Sequence, residues 1–387
     1  MTETIRLKGI TWDHSRGYVP MVATAQRYTE LHPNVEVVWE KRSLQAFADR
    51  PVKELAACYD LLVIDHPWTG YAAATGALLP LDGLLPDAFL RDQAENSVGK
   101  SFMSYTFDGY QWALPIDAAT PVAASRPDLL KARGLALPQT FDDVLALADR
   151  GLVGLSLLPI DALMSFYMFC STLGKPACQT NSEVVAESCG IIALKIFKSL
   201  VDRVDLAFFS KNPIGVYETM ANSDTIAYCP FAYGYSNYSR NGYGRHLLLF
   251  HDLVDLASHG PLISTLGGAG LAISARCAYP EVAVDYARFV ASPGIQETLY
   301  ADAGGQPGHR CAWTSDYTNG RTSNYFNNTL PALERAYLRP RYAGHLYFQD
   351  HAGDLIVNYL QHGGNERKVL ESLNQLYHQS LLQEAHG

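Results

Sequence analysis

The stretch Leu61-Leu62-Val63-Ile64-Asp65-His66-Pro67 decides the fold. Four consecutive apolar residues end abruptly in an acid, an imidazole and a proline. That pattern reads as a short strand buried on both faces. Working upstream, residues 6–11 read as an opening strand, and Trp12-Asp13-His14-Ser15-Arg16-Gly17 as its turn. A helix is expected over 18–31, where Val22, Ala25, Tyr28 and Leu31 lie near helical spacing and Pro20 falls in the first turn. His32-Pro33-Asn34 ends it, residues 35–40 form the next strand, and 44–59 read as a helix split by Pro51. Apolar strands alternating with helices predict a parallel sheet covered on both faces.

In such sheets ligands bind beyond the carboxyl ends of the strands. Two of those ends, Trp12-Asp13-His14 and Asp65-His66-Pro67, carry the same chemistry: an acid, an imidazole and a nearby ring. The chain has 387 residues, more than one hydrophobic core usually serves, so two lobes are expected. Its formal charge of -9 argues against nucleic acid or an anionic membrane as partner. Seven cysteines occur without a CxxC, several within apolar runs such as FYMFC around Cys170. This suggests reduced, buried thiols and a reducing compartment. The first residues hold no apolar signal core and no lipid-attachment cysteine, so the expectation is a cytoplasmic chain or one whose signal has been trimmed.

Further along, Asp108-Gly109-Tyr110-Gln111-Trp112-Ala113-Leu114-Pro115 reads as a hairpin turn and strand, and LPQTFDDVL at 137–145 opens a helix capped by Thr140 with Asp143. With the PNVEV entry to the second strand, GALLPLDGLL at 76–85 and the late Gly267-Gly268-Ala269-Gly270 run, the series resembles the extracellular solute-binding proteins of ABC importers, carbohydrate type. The resemblance runs in register from about residue 6 to about 312, and the remaining tail matches only as generic helix.

The resemblance implies a two-lobed α/β fold of the type II periplasmic-binding kind. Each lobe would be a mainly parallel sheet flanked by helices, with crossing hinge strands near 114–118 and 261–266. Lobe one would hold 1–116 and 263–312, and lobe two 117–262 and 313–387. It further implies a monomer that captures a small polar ligand between the lobes and delivers it to the membrane subunits of an ABC-type importer. Family members are periplasmic or extracellular, which stands against the cytoplasmic look of the chain. No cofactor and no metal is expected, since the histidines at 246, 251 and 259 match no compact zinc spacing.

The ligand-binding candidates are Trp12, Asp13, His14 and Arg16 at the first strand end, Asp65 and His66 at the second, and Asp117 at the hinge. The resemblance adds Tyr233 and Tyr235 as aromatic contacts, and Gly267 and Gly268 as a close backbone approach. Cationic donors beside acids and tyrosines fit a sugar, a sugar acid or another small carboxylate, with a slight tilt to a carboxylate. The alternative is an enzyme or metabolite sensor on the same fold, with Cys229 as nucleophile and His14 or His66 as its base.

Overall fold

The computed structural model describes residues 4–43 and 52–383. The expected helix over 44–59 lies partly outside these; its described part is the short helix Val52–Ala56. The first sheet has five strands in the order β2-β1-β3-β8-β4. They are β1 (Ile5–Trp12), β2 (Val35–Arg42), β3 (Leu61–Ile64), β4 (Leu114–Ala119) and β8 (Gly267–Ile273). β1 pairs parallel with β2 and β3, whereas β8 runs antiparallel between β3 and β4. Every β3 side chain is fully buried, as an unbroken apolar run between helical layers requires.

The second sheet contains β5 (Pro121–Ser125), β6 (Tyr228–Tyr233) and β7 (Leu249–His251), with β5 central and both pairings antiparallel. A mainly parallel sheet was expected in each lobe. The first is mixed and the second antiparallel, because the strands flanking β5 return from excursions that place them head to tail.

Between β4 and β5 stands a single residue, Thr120, so one continuous extended segment crosses from the first sheet to the second. Its hydroxyl donates to the carbonyl of Thr265 at 2.9 Å, where the chain returns toward β8. Tyr337 pairs with that returning segment as a third crossing. The molecule is thus two-lobed, each sheet has its own hydrophobic cluster, and the crossings lie at one edge of the cleft.

Local elements follow their sequence signals closely. Asp108 and Gly109 both take positive φ, 51° and 80°, in the two-residue turn pairing Phe107 with Tyr110. Thr140 accepts from the Asp143 amide at 3.2 Å, and Asp143 accepts from the Thr140 amide at 2.9 Å, closing the capping box. No described helix is long and apolar enough to cross a membrane.

Candidate functional site

A cavity of about 680 Å³ lies between the sheets, beside the crossings. Its first-lobe wall is the carboxyl end of the five-stranded sheet, as the strand-end rule requires. Trp12 ends β1, Asp65 follows β3, Asp117 and Ala119 stand in β4, and Gly267–Ala269 open β8. The opposite wall comes from two helix N-termini and the end of β6. Leu158, Asp161 and Met164 belong to the start of α2 (Pro159–Thr172), Asn212 and Pro213 open α3 (Pro213–Asn222), and Tyr233 and Tyr235 project from the strand end. Arg339, Gln349, Asp350 and Asp354 close it from the C-terminal segment.

The first helix, α1 (Ser15–Leu31), starts earlier than expected and is capped by His14: the His14 Nδ1 accepts from the Arg16 amide at 3.0 Å. Burial, followed by the Arg16 charge, pushes the imidazole down to about 4, so it stays neutral and can accept that bond. Arg16, in the first turn, then lines the cavity. Its Nε donates to Asp117 Oδ2 at 2.9 Å, and Nη2 donates to Oδ1 in a two-point pairing. Its Nη1 donates to the Gly234 carbonyl of the other lobe at 2.9 Å. Burial works against the guanidinium charge, and Asp117 more than offsets it. The Tyr235 ring covers the guanidinium 4.8 Å from its centroid.

A second buried pair mirrors the first. Arg339 donates through Nη2 to both Asp65 oxygens at 2.7 and 2.8 Å, and through Nη1 to Gln349 at 3.0 Å. Burial raises the Asp65 carboxyl, but the guanidinium and His66 hold it well below the usual carboxylate range. Both cavity cations are therefore already neutralised, which removes the ground for favouring a carboxylate ligand.

Gly267 and Gly268 make the cleft floor possible. A Cβ on Gly267 would stand 2.4 Å from the Tyr233 ring. One on Gly268, whose φ is 102°, would stand 2.3 Å from the Asp117 carbonyl.

Of the sequence-derived candidates, the cavity brings together Trp12, Arg16, Asp65, Asp117, Tyr233, Tyr235, Gly267 and Gly268. Three stand elsewhere. Asp13 is half exposed and pairs with Lys41 at 2.8 Å. His14 serves as the cap, with Nε2 3.3 Å from the Tyr243 hydroxyl. His66 is fully buried against Tyr105 behind Asp65, its Nδ1 3.3 Å from Asp65 Oδ1, and is not part of the cavity lining. Cys229 is also outside the lining. Burial pushes its thiol up to about 12, and neither His14 nor His66 acts on it, so the nucleophile–base pair is not assembled. All seven cysteines are free.

Asp161, Asn212, Arg339, Gln349 and Asp354 were not anticipated. Pro159 at the first turn of α2 was the available signal for Asp161.

Residues 12–151 match the family model described as bacterial extracellular solute-binding protein. Over the whole chain the fold is that of solved binding proteins. Maltose-bound MalE3 of T. maritima superposes with a TM-score of 0.82 at 16% identity, covering 98% of this chain and all of that one. The GacH receptor of Streptomyces glaucescens, solved unliganded and with acarbose, gives 0.81 at 17% identity and covers 98% of each. UgpB of Mycobacterium tuberculosis, in complex with glycerophosphocholine, gives 0.77 at 16% identity, over 98% of this chain and 99% of that one. At such identities these superpositions establish the fold.

Proposed function

We propose that the protein captures one small polyhydroxylated ligand, a sugar or polyol, in the cleft and releases it unchanged, as the substrate-binding component of an ABC-type importer. The observation that carries this reading is the cavity itself. Aromatic faces from Trp12 and Tyr233 stand beside oriented acceptors, and both guanidinium groups are already engaged. Rings that pack against a sugar face, with carboxylates accepting from its hydroxyls, are the complement of a polyol. Neutral ligands bound by solved relatives of this fold, maltose and ribitol among them, support the same chemical class.

In this reading the lobes hinge about Thr120 and the segment 264–266. Lobe one is the five-stranded sheet with its helices, and lobe two is the three-stranded sheet with the C-terminal helices. The partners are the membrane subunits of an importer, the site of action is outside the cytoplasmic membrane, and the working form is a monomer. Among the described residues no group in the cleft is arranged as nucleophile and base, which favours a non-catalytic protein.

Small-angle scattering with and without a panel of sugars and polyols tests it. A bound member should reduce the radius of gyration through closure. Saturation by a ligand with an unchanged radius would contradict hinge capture.

A further inference from the structure

The cavity is unbalanced in charge. Five carboxyl side chains line it against two guanidinium groups, and each guanidinium is already paired with one carboxylate. Asp161 is the acid whose position asks for an explanation. It sits in the first turn of α2, only 8% exposed, at the cavity wall. Its Oδ2 has no hydrogen-bond partner among the described residues. Neither Arg16 nor Arg339 acts on it. Burial raises its carboxyl to about 7, opposed by a hydrogen bond from Ser156.

The start of a helix favours a carboxylate, but that effect is small beside burial, roughly 0.3–1 kcal/mol in exposed settings. A nearly buried acid with an open oxygen is costly unless something cationic completes it. Tyr233 and Tyr235 both feel the Asp161 charge besides their own burial, so the acid and the rings share one region of the cleft. A carboxylate beside aromatic faces suits a cation: the acid supplies charge-assisted hydrogen bonds and the rings their negative faces.

We propose that the ligand carries a basic nitrogen, as an amino sugar, an amino polyol or an amine-linked oligosaccharide, and that its ammonium group docks on Asp161 between the rings. This deepens the cleft reading and rests on it. Asp354, which lines the same cavity and is exposed, adds to the negative field that an approaching cation meets.

Titration calorimetry near neutral pH with matched pairs tests the idea: D-glucose with D-glucosamine, D-sorbitol with 1-amino-1-deoxy-D-sorbitol, and maltotetraose with acarbose. In at least one pair the amine-bearing member should bind roughly ten- to a hundredfold tighter than its neutral match. Asp161→Asn should abolish that preference, and Asp161→Ser provides a second variant should the amide fold poorly. Equal or tighter binding of the neutral member in every binding pair would overturn the proposal and leave the cleft reading standing. Binding by no member of any pair would count against both. An amine preference that persists in both folded variants would also overturn the assignment to Asp161.

Discussion

Arg16 and Asp117, in the first turn of the first helix and within the hinge strand, form a two-point ion pair with almost no solvent access, 5% and 0% of their side chains being exposed. The same guanidinium reaches the Gly234 carbonyl of the second lobe. One side chain therefore holds the first strand end, the hinge and the opposite wall in register, beneath the Tyr235 ring.

Removing one partner leaves an uncompensated buried charge. Arg16→Met is expected to destabilise the protein by about 3–5 kcal/mol. The double variant Arg16→Met, Asp117→Leu should recover much of that loss, because neither charge then remains. Urea denaturation of the parent, Arg16→Met, Asp117→Leu and the double variant checks this. Losses that simply add would show that the pair is not coupled.

Within the cleft, Tyr233→Ala should weaken ligand binding by about 1–3 kcal/mol, roughly tenfold to a hundredfold, with little change in stability. Asp13→Ala should bind as the parent does, since Asp13 stands outside the cavity with Lys41. Calorimetric titration with any binding sugar or polyol distinguishes the two variants, and a reversed order would contradict the placement of the cavity.

Burial, then the Arg339 charge, lowers His66 from 6.5 to about 4, while burial first and then the Arg339 and His66 charges lower His345 to about 3. The folded protein keeps both rings neutral where the unfolded chain takes up protons. Their contribution to stability is thus fully present above about pH 6.5 and is lost as pH falls toward about 4. His66→Leu should flatten that part of the stability profile, as measured by denaturation near neutrality and near pH 5. An unchanged slope would mean that His66 is protonated in the fold.

Much of this was legible because some signals are local. The apolar run at 61–64, the Asp108-Gly109 turn and the Thr140 capping box each carry their structure within a few residues. Strand-end chemistry located the cavity from one side for the same reason. The far wall was harder to read. Helix α2 is mostly apolar and buried on every side from Asp161 onward, so it shows no amphipathic stripe to orient Asp161. Arg339 reaches Asp65 across 274 positions, a partnership only tertiary structure creates. The strand directions in the second sheet likewise depend on long excursions that carry no local mark.

Thiol reactivity separates a packed cysteine from a nucleophile. Cys58 is the exposed one of the seven and should react first with iodoacetamide. Cys229 should react slowly and without ligand protection, given its burial and its thiol near 12. Rapid, ligand-protected alkylation at Cys229, read by peptide mass spectrometry, would reopen the catalytic alternative.

Native mass spectrometry of the protein, incubated with a mixture of sugars, amino sugars and polyols and then desalted, tests capture in the cleft most directly. One noncovalent adduct of a single small molecule per chain is expected, weakened by Tyr233→Ala and recovered on denaturation with its mass unchanged. A protein that retains nothing from the mixture, or that returns the molecule chemically altered, would contradict it.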